Sequence, residues 1–538
     1  MLEMRWAQVR KTFGALVGCL FFTLFLTGCG SQINFTWTVD RVPQNLDPQL
    51  AAESPELIAV ANLYSGLTRL DEAGQPQLDC ASAYTVSPDG LTYTFTLKEG
   101  LGYARSGGQD GGYPLTAHDF VFAFRRIFRA ETASPYTSTF ALLQNSQAVL
   151  AGEAPESALG VSAPSDATFV LQLSAPDPEL LQKLALPGAM PCNEAFFDST
   201  QGAYGLNRST TLTNGPFYLY NWNTNGLFLR RAAQGDRVTS LRLVLNSTAA
   251  ASSSPGSGSG SGPVSQPLAG AELVLAGKAT AALSDSTEAG SLASLPYTAT
   301  TWALAFNCEN ELLAQPQLRA ALAASARAAA PDLPAEFAVA DGLVPPAVTA
   351  QGEPYRQAAG SALPAYGDPA ALCREGLAAA GANRFSGITV LLPQGQPYRS
   401  LAGALNQQWQ KQLGAWSAYF SLEELPPDQL AARVAAGDYQ IALLPFSPSS
   451  DSALEVLEQV GVSRWNSPDF EAALAALRAG GGNSPVLLAQ AERLALGGAA
   501  VVPLWYHSQA LLVQPGVRGL VFRPFGPVLD LTWATLKE

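Results

Sequence analysis

Residues 84–128 leave a chain few choices. Ser87-Pro88-Asp89-Gly90 reads as a turn, with proline at its second position and glycine at its fourth. Leu91, Tyr93, Phe95 and Leu97 then alternate with Thr92, Thr94 and Thr96. That period of two, rich in aromatic and β-branched residues, predicts a half-buried strand. After a glycine-rich loop, Thr116 and Asp119 have the spacing of a capping box, in which each side chain satisfies a free amide of the first helical turn. Phe120, Phe124, Ile127 and Phe128 follow at helical spacing. Taken alone this is a packing unit, strand then helix, with no chemistry attached.

The rest of the chain is read around that unit. Its 538 residues allow two or three domains, and 47% hydrophobic content marks a globular chain. A net charge of −13 with no basic patch argues against a nucleic-acid partner. Residues 1–28 read as a signal peptide: Arg5, Arg10 and Lys11 precede an apolar run from Phe13 to Leu26 that is short for a membrane span. The run ends in Leu26-Thr27-Gly28-Cys29, which resembles a bacterial lipobox. That resemblance implies cleavage before Cys29 and attachment of lipid to its sulfur, a tether rather than a span.

Catalytic signals are few. His118 and His507 are the two histidines, so a Ser-His-Asp or Cys-His site would have to use one of them. There is no HExxH, no GxxxxGK[ST] and no GxGxxG opening a helix after a strand. No metal and no cofactor is expected, and the chain does not read as an enzyme. Beyond the leader, Cys80, Cys192, Cys308 and Cys373 lack metal-ligand spacing; three disulfide pairings or four free thiols are equally compatible with the sequence.

Along the chain, Phe35–Val39 is the first predicted strand, 160–173 a strand pair, and Pro176–Leu186 a helix. Asn225-Gly226 predicts a hairpin turn. Residues 246–269 are a Gly/Ser-rich flexible loop, after which Ala271–Leu275 is expected as a strand. Thr301–Asn307 is a predicted strand, Pro316–Ala329 a helix, and 331–387 irregular. Then Ile388–Leu392, Tyr398–Leu413, Trp416–Leu422, Pro427–Ala436 and Tyr439–Phe446 alternate strand and helix, which predicts an α/β unit with a largely parallel sheet. A helix from Pro468 to Ala479 and two strands, Ala499–Tyr506 and Ala510–Val513, close the chain.

Several short stretches carry a further signal by their order. They are Leu46-Asp47-Pro48, Asn62-Leu63-Tyr64 with Gly66-Leu67, the 84–128 unit, Thr132-Ala133-Ser134-Pro135-Tyr136, Thr213 to Leu219 (TNGPFYL), and Gly342 to Pro346 (GLVPP). Over residues 35–245 and 271–538 the sequence resembles the oligopeptide-binding lipoproteins of peptide ABC importers, the family 5 extracellular solute-binding proteins. The resemblance implies an α/β, periplasmic-binding-protein type II-like fold, two lobes with a hinge plus an extra domain. Lobe I would comprise 31–64, 192–298 and 508–538, the extra domain 65–191, and lobe II 299–507. It implies a monomer tethered outside the cytoplasm through Cys29, binding a peptide or other small solute and delivering it to an ABC permease. The alternatives are a receptor or signalling lipoprotein that kept the fold and lost import, and a binder of a non-peptide solute.

Site residues follow from the same resemblance. Tyr136 matches a tyrosine that contacts ligand, and Ser54 falls where the amino-terminal segment borders it. The strand ending at Phe446 leads into the position of the family's Gly-Trp-x-x-Asp motif, whose carboxylate pairs with a peptide's α-ammonium. Here the aligned residues are Pro445, Phe446 and Ser449. The aromatic survives, the carboxylate does not, and Asp451 is the candidate substitute.

Overall fold

A computed structural model describes residues 33–232, 235–246, 270–285, 289–329, 331–413, 418–479, 483–525 and 528–537. The lipobox at Cys29 and most of the Gly/Ser-rich loop lie outside these residues.

The 84–128 unit forms as its pattern dictates. Thr92–Leu97 is the second strand of a four-stranded antiparallel sheet, between Ala81–Val86 and Thr168–Gln172, with Val161–Ser165 at the far edge. Phe95 and Leu97 point inward. The helix Ala117–Ile127 starts with the Thr116 N–H donating to Asp119 Oδ2 at 2.8 Å. Its Phe120 and Phe124 pack on Phe169 with ring centroids 5.8 and 5.9 Å apart, contacts that add to the burial of each ring.

A second sheet joins Asn34–Val39 in parallel to Ser240–Leu245, which continues antiparallel to Gly226–Arg230 and Tyr218–Asn223. The Asn225-Gly226 turn sits between the last two, and a side chain at 226 would meet the Leu243 carbonyl oxygen at 2.3 Å. This sheet packs Phe35, Ile58, Tyr64, Leu243, Leu511 and Leu531 into one core.

The largest sheet orders Ala281–Ser284, Val501–Val513, Ala293–Phe306, Ile441–Phe446, Thr389–Pro393 and Ser421–Leu425, with Phe337–Val339 also on Val501–Val513. Its last three members are the expected parallel β-α-β-α-β unit. Leu304 and Phe306 face one core while Ala303 and Ala305 face another, so the sheet is covered on both sides. Val501–Val513 pairs antiparallel with Ala293–Phe306 and carries Leu511 and Val513 into the core around Phe35. Their register breaks between Tyr297 and Thr300, where the two cores part.

Several expectations need correcting. Ala271–Leu275 is a short helix, not a strand; a five-residue apolar run is ambiguous in period, and Ala281–Ser284 takes the sheet position instead. The helix expected over 176–186 shrinks to Leu180–Lys183, because Pro176 and Pro178 remove donors at its start and Pro187 follows its end. The strand expected at Trp416 begins at Ser421, and Trp416 itself lies outside the described residues. Residues 331–387 hold a helix, Pro369–Ala379, capped by Asp368 accepting from the Ala371 N–H at 2.7 Å. The two closing strands are one, Val501–Val513.

Cys80, Cys192, Cys308 and Cys373 are free thiols. Burial pushes Cys80 and Cys192 up to about 12, so neither is a reactive thiolate.

Candidate ligand-binding site

Tyr136 stands at the end of a buried polar relay. Arg126 reaches Asp47 through both carboxylate oxygens, at 3.1 and 2.5 Å, and donates to Gln49 Oε1 at 2.6 Å. Gln49 Nε2 donates to the carbonyls of Gly188 and Met190, and the Gln49 carbonyl accepts from Ser134 Oγ at 2.7 Å. The Tyr136 hydroxyl donates to the Ala51 carbonyl at 2.5 Å. The ring rests on Gly188, where a Cβ would come within 2.4 Å of it. Burial raises the phenol well above its ordinary value. The motifs around Asp47 and Tyr136, far apart in sequence, thus meet as one saturated scaffold.

The Thr213-Asn214-Gly215 stretch is scaffold too. Asn214 Nδ2 donates to the Ser65 carbonyl at 2.8 Å, and the Gly215 N–H to that of Leu63 at 2.8 Å. Gly342 to Val344 are fixed by Glu492, fully buried, whose Oε1 accepts from the Leu343 and Val344 N–H groups. Its Oε2 accepts from the Tyr355 hydroxyl and Arg356, at 2.9 and 2.5 Å.

On the far side, Phe446 ends its strand buried, opposite Thr301, and is not exposed to a ligand as it stands. Ser449 is exposed, and its N–H and Oγ both donate to Glu455 Oε2, at 2.8 and 2.9 Å. The Ser450 N–H donates to that same oxygen, and its hydroxyl to Oε1. Asp451 accepts from the Thr349 N–H and hydroxyl, at 2.7 and 2.5 Å. Both carboxylates near the Ser449 position are therefore engaged within the chain. Ser54, half-buried at the start of Ser54–Leu63, lines an open recess with Trp37, Asp40, Gly270 and Leu273. The lining of that recess includes none of the other four expected site residues.

Glu179 lies within electrostatic reach of Asp451 and close to Asn483; burial, then neighbouring Asp177 and Asp451, push its carboxyl up against the pull of Lys183 and Asn483. The sequence reading missed Glu455, although Ser452-x-x-Glu455 has capping-box spacing and Ser452 does cap that helix. Gln49 had no signal at all. Among the described residues, no group of three or more His, Cys, Asp or Glu could hold a metal ion, and no helix is long and apolar enough to cross a membrane.

The profile of the bacterial extracellular solute-binding proteins, family 5 (middle part), matches residues 75–467. The chain belongs to this family. It is 31% identical over 198 residues to a dipeptide-binding protein of Lactococcus lactis, covering 36% of this chain and about a third (35%) of that relative's length. To the dipeptide-binding protein DppE of Bacillus subtilis it is 23% identical over 521 residues, 92% of this chain and 90% of the relative. The solved structure of Listeria monocytogenes OppA bound to peptide superposes with a TM-score of 0.67 at 21% identity, covering 95% of this chain and all (100%) of that one. The family 5 chain therefore has the expected fold, the mixed α/β periplasmic-binding-protein type II architecture with two lobes and an extra domain.

Proposed function

We propose that this family 5 protein is the extracytoplasmic solute-binding component of an ABC importer, taking peptides into the cleft between its lobes and handing them to a membrane permease. The observation that carries the reading is the pair of long strands, Ala293–Phe306 and Val501–Val513, the second of which has residues in both cores, and whose register shifts between Tyr297 and Thr300 and again between Trp302 and Ala303. Strands that cross between lobes and slip in register are where a hinge can absorb its rotation. Similarity to a dipeptide-binding protein over nine-tenths of both lengths, and to a peptide-bound structure, supports peptide as the solute.

In this reading lobe I is 31–64, 192–298 and 508–538, the extra domain 65–191 and lobe II 299–507. Tyr136 and Ser54 border the ligand from one side, Phe446, Ser449 and Asp451 from the other, and no residue performs catalysis. Cys29 carries lipid and holds a monomer outside the cytoplasm, at the outer face or periplasmic side of the cell membrane.

Native mass spectrometry of the full chain, mixed with a pool of short peptides, tests this. Retention of peptides of a defined length range at one per chain is expected. A chain that holds none of them, in a preparation that is folded, contradicts the proposal.

A further inference from the structure

Four arginines are deeply buried, and each is matched. Arg69 meets Asp530 and Asp79, Arg126 meets Asp47, Arg356 meets Glu492, and Arg319 donates to the carbonyls of Leu313, Ala314 and Gly498. Arg523 differs from these four. It is half-buried, its Nε is sealed from solvent without a hydrogen-bond partner, and, unlike Arg356, whose Nε also lacks a hydrogen bond but whose Nη2 meets Glu492, its guanidinium forms no ion pair among the described residues. Asp530, the nearby carboxylate, is already spent: Oδ2 accepts from Arg69 at 2.6 Å, and Oδ1 from the Thr532 N–H and hydroxyl at 2.8 and 2.6 Å.

The place matters as much as the missing partner. Phe522 packs on the core of Phe35 and Leu243 and lies 5.3 Å from the Tyr297 ring, next to the register break of the crossing strands. Phe525 packs on the other core, with Phe446 and Val456. Tyr136 lies within electrostatic reach of Arg523 from the third core. Residues 522–525 thus sit at the seam where all three packed regions meet. Burial, reinforced by the positive charge of Arg69, lowers Arg523 below the ordinary arginine value, against the opposing pull of Asp530.

We propose that Arg523 is the group with which the cleft reads a ligand carboxylate, either the free carboxyl terminus or an acidic side chain of a peptide. This rests on the cleft-binding reading above and adds the charge of what is bound. A guanidinium packed at this seam without an anion is unfavourable, and its planar fork matches a carboxylate. The opposite side points the same way. Where the resemblance places a carboxylate for an ammonium there is Ser449, and the neighbouring Glu455 and Asp451 are saturated by Ser449, Ser450 and Thr349. Among the described residues, the seam thus holds an unpaired cation while the two carboxylates nearest Ser449 are already engaged.

Calorimetric titration of the full chain and its Arg523→Gln and Arg523→Lys variants decides the matter. The probes are pentaalanine with a free carboxyl terminus, pentaalanine amide, and the amide of Ala-Ala-Glu-Ala-Ala, with thermal melts in glutarate as a peptide-independent arm. The wild type is expected to bind one of the two carboxylate-bearing peptides at least roughly tenfold more tightly than pentaalanine amide. Which one identifies the source of the carboxylate. Arg523→Gln should lose that preference while binding pentaalanine amide as before, and Arg523→Lys should keep part of it. Peptides bound with no preference for a carboxylate, or a preference that survives in Arg523→Gln, overturn the inference and leave the peptide reading standing. No peptide bound, but thermal protection by glutarate confined to the wild type and Arg523→Lys, removes the peptide reading and supports the anion site. No peptide bound, with glutarate acting equally on wild type and Arg523→Gln or on neither, overturns both.

Discussion

Arg126 is buried and Arg523 is half-buried with its Nε sealed, and their surroundings are opposite. Arg126 is held by both oxygens of Asp47 and by Gln49, inside a relay that ends at Tyr136. Arg523, beside that same tyrosine, has an unpartnered Nε and no ion pair among the described residues. A buried ion pair gives a fold little net stability, but half of one is expensive. The first arrangement is what a scaffold needs. The second is tolerable where something else completes it, and it falls at the seam between the lobes.

Breaking the scaffold side should have the largest effect. Asp47→Ala strands Arg126 and should lower the free energy of unfolding by about 3–5 kcal/mol in urea titrations. Glu492→Leu should cost a similar roughly 3–5 kcal/mol, since it strands Arg356 and two backbone amides behind the Gly342 to Pro346 loop. A midpoint unchanged in either variant would mean that these networks are not the supports described here.

A smaller, pH-dependent effect is expected at Asp119. Burial raises its carboxyl to about 6, although the Thr116 amide and the Asn193 side chain pull the other way. The folded state therefore holds this proton more tightly than the unfolded chain. Its stabilising contribution is complete below the unfolded value near pH 4 and is lost as pH rises toward 6. Asp119→Asn mimics the protonated form. Between pH 4 and 7 the wild type should lose about 1–3 kcal/mol of stability relative to that variant. A difference flat with pH would remove the buried-carboxylate account.

The smallest change sharpens the contrast. Arg523→Gln removes a charge that has no ion-pair partner among the described residues, so the ligand-free protein should keep its stability or gain up to about 1 kcal/mol. A loss as large as that of Asp47→Ala would place Arg523 in the scaffold instead.

Much of the fold was legible because its signals are local. The alternation from Leu91 to Leu97, the Thr116–Asp119 spacing and the strand–helix alternation after residue 388 each fix an element without help from the rest. What failed was short or depended on distant partners. Ala271–Leu275 has too few residues to reveal a period, and the register break at Tyr297 belongs to a strand pair some 200 residues apart in sequence. The family stretches were legible as marks, but not their physical role. Asp47, Asn214 and Gly342 act through contacts with Arg126, Ser65 and the Glu492–Arg356 pair. Arg523 had no signal: one arginine among polar and apolar neighbours stands out only once its surroundings prove to hold no free anion.

Hydrogen exchange by mass spectrometry on the full chain, with and without a retained peptide, tests the interlobe site most directly. Slower exchange on binding is expected together in segments 134–136, 445–451 and 521–525, with little change at Trp37–Asp40. Protection confined to the recess lined by Trp37, Asp40 and Ser54, with none at the three interlobe segments, would contradict a ligand held between the lobes.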